Sequence, residues 1–120
     1  MSNVVAWALF SLGIVHIAFG LVRFKVPVAE AVTAGFIGQF KAPEARRTAF
    51  WFLMCGPLLM LAGHTAVHAV AVGDLSLLKV IGTYTLLSSV VGVTAFPKSP
   101  IWAPLLLSPP LIAAGYGLLP

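Results

Sequence analysis

Three histidines, His16, His64 and His68, are the residues of this chain best suited to chemistry. Imidazole titrates near neutral pH and ligates metal ions, so a histidine set among apolar residues is a candidate for proton transfer or metal binding. His64 and His68 are four apart, which puts them on one helix face and within reach of a shared ion. Two imidazoles do not complete a coordination sphere. Asp74, another helix or a second subunit would have to supply the third ligand, and a haem held by a single histidine is the other cofactor to weigh. The plain alternative is a pair of neutral histidines near a helix end, bonded to water and neighbouring carbonyls. His16 stands apart, because Gly13, His16 and Gly20 fall at i, i+3 and i+7 on one face. Small residues there let a second helix approach, so His16 faces protein and not lipid. Glu30 is the carboxylate that could couple to it, giving an acid–base pair for a lipid-soluble substrate. Against that pairing, Glu30 could bind Arg23 or Lys25 at the surface while His16 bonds a hydroxyl elsewhere.

These groups sit in a chain of 120 residues that is 60 % hydrophobic and only 8 % charged. Its mean hydropathy is +1.04. A water-soluble domain carries nearer 25 % charge, and such depletion would leave its surface sticky. The formal charge of +4 does not point to nucleic acid, since the basic residues are sparse and cluster at the ends of apolar stretches. One cysteine, Cys55, permits no internal disulfide and reads as a small packing residue. No Gly-rich phosphate loop, Cys-x-x-Cys or Gly-x-Ser-x-Gly is present, and no Asp or Glu lies within an apolar stretch.

Four stretches, about 4–22, 48–70, 77–96 and 101–119, are each near the 20 residues that cross a bilayer core of about 30 Å. The fold expected is all-α and integral to the membrane: one domain over 1–120, an antiparallel four-transmembrane-helix bundle. The first stretch reads as a retained span, because no basic residue precedes it and it exceeds a signal-peptide core. Between spans one and two, residues 28–40 are too short to cross. Val28, Val32, Phe36 and Phe40 recur every four residues there, which predicts a short interfacial or re-entrant helix. In span three, Gly82, Thr85, Ser89 and Gly92 share a face, with Tyr84 and Tyr116 as further polar companions. A ligand pocket between Gly13, Gly20, Thr85 and Ser89 would place His16 at its wall. Pro104, Pro109 and Pro110 predict a break near Ser108 in span four. The connection between spans one and two holds Arg23, Lys25, Lys41, Arg46 and Arg47, so the positive-inside bias puts it in the cytoplasm and both termini outside. Arg46 and Arg47 are expected to contact lipid headgroups. Depth keeps His16 and His64 from sharing an ion or a haem: at about 1.5 Å per residue they lie about 12 Å apart along the membrane normal.

The Gly13-x-x-His16-x-x-x-Gly20 pattern and the Arg46…Trp51-Phe52…Gly56 entry to span two resemble those of small bacterial four-helix membrane proteins near the DoxX-like group. That resemblance implies a bacterial inner-membrane location and four spans. Some DoxX-like proteins accompany quinone-linked oxidoreductases, but no catalytic motif of theirs maps onto this chain. Three functions follow as expectations. The first is binding, and isomerisation or rearrangement, of a small apolar ligand by His16, in a homo-oligomer. The second is a non-catalytic accessory subunit of a larger membrane complex. The third is a metal- or haem-binding membrane protein using His64 and His68.

Overall fold

Runs of Ala, Leu, Val and Ile form helices in this chain, and short turns rich in Gly, Pro and Ser end them. The structure, a computed structural model, describes residues 1–120 as five α-helices and no strands. They are α1 (Ser2–Arg23), α2 (Lys25–Thr33), α3 (Glu44–Val72), α4 (Leu75–Ala95) and α5 (Trp102–Gly115). Helices α1, α3 and α4 are long and apolar enough to cross a membrane. The turn between α3 and α4 is built from local signals. Gly73 adopts φ 73°, the left-handed conformation that ends α3. One residue on, the Asp74 carboxylate accepts the Leu77 N–H at 2.9 Å and caps α4.

Three expectations need correction. The segment at 28–40 is not one helix. Helix α2 starts earlier, at Lys25, and stops at Thr33, because Gly35 and Phe36 take φ values of 111° and 67°. The apolar recurrence at every fourth residue therefore breaks between Val32 and Phe36. The fourth stretch forms a helix of 14 residues, about 21 Å long and short of a bilayer core. It ends at Gly115, where Gly117 turns the chain with φ 74°. Nor does α5 break near Ser108. Pro109 and Pro110 lie within it, although they cannot donate to the carbonyls of Leu105 and Leu106. Ser108 is fully buried and donates its hydroxyl to the Pro104 carbonyl at 2.7 Å.

The helices pair as two antiparallel hairpins in which glycine sets the spacing. In the first, Gly13 of α1 lies against Gly56 and Met60 of α3, Gly20 against Phe52 and Leu53, and Gly63 of α3 against the backbone of Leu9 and Phe10. In the second, Gly82 and Gly92 of α4 lie against Ile112 and Ile101, and Gly115 of α5 against Lys79 and Leu75. Where lipid surrounds the helices, apolar burial gives little drive, and close backbone approach at such sites supplies the van der Waals contact instead. The hairpins meet at the end that holds both termini. There Val5, Ala6, Leu9, Ala66, Ala69, Leu78, Ile81, Leu111 and Ala114 form the core. Only 21 of the 120 residues are buried. Water would not tolerate so much apolar surface, whereas acyl chains would.

Candidate functional site

His16 sits on the face of α1 that α3 covers, and it is half-buried. Its Nε2 lies 2.7 Å from the Phe52 carbonyl oxygen. A carbonyl can only accept, so Nε2 donates, and in the neutral ring Nδ1 is left as the lone-pair nitrogen. The imidazole also stacks on the Phe52 ring, with centroids 4.0 Å apart and planes 16° from parallel. Phe19 and Phe24 close around the same ring at 5.9 and 5.2 Å. In this arrangement His16 clamps α1 to α3.

The residues expected to share a pocket with His16 lie in different hairpins. Gly13 and Gly20 are covered by α3. Ser89, on the same face of α4 as Gly82 and Gly92, is buried in the other hairpin and donates its hydroxyl to the Thr85 carbonyl at 2.6 Å. Two surface depressions are shallow and open. One, of about 500 Å³, spans Ala95–Ser99, and the other, of about 380 Å³, runs along the start of α3. Neither reaches His16.

Glu30 bonds neither His16 nor Arg23 or Lys25. Its Oε2 lies 3.6 Å from Arg46 Nη2, with the Glu30 side chain about half exposed and that of Arg46 mostly covered. Arg46 Nη1 also donates to the Gln39 side-chain oxygen at 3.3 Å, while its buried Nε has no partner. An ion pair with one side so exposed contributes little, on the order of 1 kcal/mol or less. Its geometric effect is to tie α2 and the turns after it to α3. Arg47 points the other way, and its Nε and Nη2 donate to the Lys41 carbonyl at 3.3 and 2.9 Å. The two adjacent arginines therefore differ: Arg46 serves the fold, and Arg47 faces outward.

The two distal histidines remain without a third ligand from this chain. His64 meets the edge of Phe10 with ring centroids 6.0 Å apart, and His68 is exposed. Asp74 is engaged as the α4 cap. No group of three His, Cys, Asp or Glu side chains comes together that could hold a metal ion. Phe52, which carries His16, and His64 are twelve residues apart on α3, about 18 Å along its axis.

Two features were not drawn from the sequence. Gly56 and Gly63 repeat the seven-residue spacing of Gly13 and Gly20, a signal that the two faces match. The middle of α4 also carries a cluster of hydroxyl side chains, Thr83, Tyr84, Thr85 and Ser88, of which Thr85 belonged to the expected pocket and Tyr84 to its polar companions, whereas Thr83 and Ser88 were not singled out. None of their hydroxyls has a partner within the chain, whereas Thr65, Ser89, Thr94 and Ser108 each bond back to a carbonyl of their own helix. Thr83, Tyr84 and Ser88 are exposed. In water this would be unremarked. Around residue 84 of the Leu75–Ala95 helix, in lipid, it would be an unsatisfied polar patch at mid-depth.

No curated protein and no solved structure matches the chain. Nothing in these comparisons connects it with the DoxX-like group that its short motifs resemble. The family model of DUF6463, a family of unknown function, matches residues 1–116, and the chain belongs to that family.

Proposed function

We propose that the protein is a non-catalytic subunit embedded in a bacterial inner membrane, where α4 docks laterally against a transmembrane helix of a larger complex. In this reading α1, α3 and α4 cross the bilayer, and α5 completes an antiparallel four-span arrangement with its flanking residues. Lys98 and the five basic residues of the α1–α3 connection lie on the cytoplasmic side, and both termini lie outside.

The observation that carries the reading is the unpartnered hydroxyl patch of Thr83, Tyr84 and Ser88. A polar group facing hydrocarbon is costly unless it is bonded, and an interhelical hydrogen bond there is worth about 0.6 kcal/mol on average and up to about 1.7. Tyr84 and Ser88, four residues apart, share one face, and Thr83 lies about 140° round the helix from Ser88. The aligned pair favours a partner helix by about 1 kcal/mol and at most about 3, enough to choose a face. The groups that could do acid–base work are meanwhile engaged in structure: His16 on Phe52, Glu30 on Arg46.

The test is the size of the assembly extracted in a mild detergent. The Thr83→Val, Tyr84→Phe, Ser88→Ala triple variant keeps shape and removes the hydroxyls. Loss of the large assembly, with the 12.6 kDa chain recovered alone and still helical, supports the reading. An assembly unchanged by the triple variant, or a wild-type protein extracted alone, overturns it. A second reading, ligand rearrangement at His16, draws support from its Nδ1, which has no partner within the chain. It predicts that His16→Phe removes a bound small molecule while leaving the assembly intact.

A further inference from the structure

The groove at the start of α3 is lined by Glu44, Arg47, Thr48, Trp51, Phe52 and Cys55, and it holds about 380 Å³. These residues grade from charged to apolar down the helix. Arg47 and Cys55 are eight residues apart, about 12 Å, the distance from a phospholipid headgroup to the upper part of its acyl chains. We propose that this groove is a binding site for one anionic phospholipid of the phosphatidylglycerol class. The headgroup phosphate sits on Arg47 and Thr48, and an acyl chain lies along Trp51 and Cys55. The proposal rests on the membrane reading above.

Charge argues for an anion. Five basic side chains, Arg23, Lys25, Lys41, Arg46 and Arg47, lie between α1 and the first turn of α3, against two acids, Glu30 and Glu44. The local balance is 5 − 2, or +3. Arg46 is neutralised by Glu30, so the uncompensated charge nearest the groove is that of Arg47. Its only partner is the Lys41 carbonyl, which carries no charge, so that bond holds the guanidinium in place without neutralising it. A guanidinium has five N–H groups, and two of them point to the carbonyl, so donors remain for a phosphate oxygen. Glu44 lines the same groove and opposes the anion, but it stands in the first helical turn, where the helix dipole favours its charge and offsets part of its repulsion.

A separate feature places this end of the molecule at a lipid surface. The Gly35–Gly38 turn exposes Phe36 and Ile37, the latter 87 % accessible, between two glycines of positive φ. Two bulky apolar side chains at a turn tip, beside a cluster of cations, match the boundary between headgroups and acyl chains. Trp51, 63 % exposed, suits the same level.

The test is native mass spectrometry of the detergent-purified protein titrated with dioleoyl-phosphatidylglycerol or dioleoyl-phosphatidylcholine. One equivalent of the glycerol lipid should be retained about five-fold more strongly than the choline lipid, the effect of one basic side chain at the surface. Arg47→Gln should abolish the preference, and Lys98→Gln, at the α4–α5 turn, should leave it. In a Trp7→Phe, Trp102→Phe background, Trp51 fluorescence should be quenched more by brominated phosphatidylglycerol than by the brominated choline lipid. Equal retention of the two lipids by the wild type overturns the site, even if the Arg47 variant fails to fold. So does a preference that survives Arg47→Gln, or one that excess inorganic phosphate removes completely. A wild-type protein found in the soluble fraction instead of the membrane fraction overturns the membrane reading, and the site with it.

Discussion

Replacing Gly13 by alanine tests whether glycine sets the spacing between α1 and α3. Helix propensity alone says that the change stabilises, by up to about 1 kcal/mol. Packing says the opposite. A Cβ at Gly13 would lie 2.7 Å from the Gly56 carbonyl oxygen and 2.7 Å from the Met60 nitrogen, both backbone atoms, and 2.5 Å from Met60 Cγ. Ordinary contact begins near about 3.5 Å, so the helices must part by roughly 0.8 Å or tilt. Overpacking of this kind costs about 1–3 kcal/mol, and parting the helices also weakens the His16 bond to Phe52. The net expectation is destabilisation by about 1–2 kcal/mol. Gly92→Ala supplies the contrast, since its new Cβ would meet only the side chain of Ile101, whose two methyl carbons would lie at 2.9 Å. The Ile101 side chain can shift where a backbone cannot, so Gly92→Ala should change stability by about 1 kcal/mol or less in either direction, short of the loss at Gly13. Reversible unfolding in mixed micelles, followed by far-ultraviolet circular dichroism, measures both. If Gly13→Ala proves as stable as Gly92→Ala, the glycine contacts do not set the spacing and the reasoning fails.

Three further outcomes follow from single contacts. His16→Phe keeps the stack on Phe52 and removes the hydrogen bond, so the same unfolding assay should show a loss of about 1 kcal/mol. A loss above about 3 kcal/mol would mean that His16 does more than clamp two helices. Asp74→Ala should cost about 1 kcal/mol by uncapping α4, and Asp74→Asn should restore most of it; equal losses in the two would show that the cap is not the cause. Arg46→Gln combined with Glu30→Gln should give a coupling energy below about 1 kcal/mol in a double-mutant cycle, because Glu30 is half exposed. A much larger coupling would show that water does not reach the pair.

The long helices were legible because nothing in them competes with hydrophobicity. The boundaries of α1, α3 and α4 lie within a few residues of the expected spans, and the Gly13–Gly20 face did predict a helix contact. What escaped was decided by pairing between distant segments. Arg46 and Arg47 look identical in sequence, and only the position of α2 turns the first inward to Glu30. Likewise, Gly13 and Thr85 each read correctly as members of a small-residue face. That the two faces pack in separate hairpins depends on which helices pair, and periodicity does not encode that. The segment 28–40 misled for a local reason, since its apolar spacing continues through Gly35 and Phe36 while the backbone does not. In α5 the prolines predicted a break, but the helix continues with the Ser108 hydroxyl on the Pro104 carbonyl.

The central claim is that the hydroxyl face of α4 contacts another helix within the membrane. A photocrosslinking amino acid placed at Ser88, with Leu58 on the exposed face of α3 as the reference position, tests it in intact membranes. The account predicts a discrete protein adduct from position 88, weakened by Thr83→Val with Tyr84→Phe, and only lipid adducts from position 58. Lipid adducts alone from both positions would contradict it.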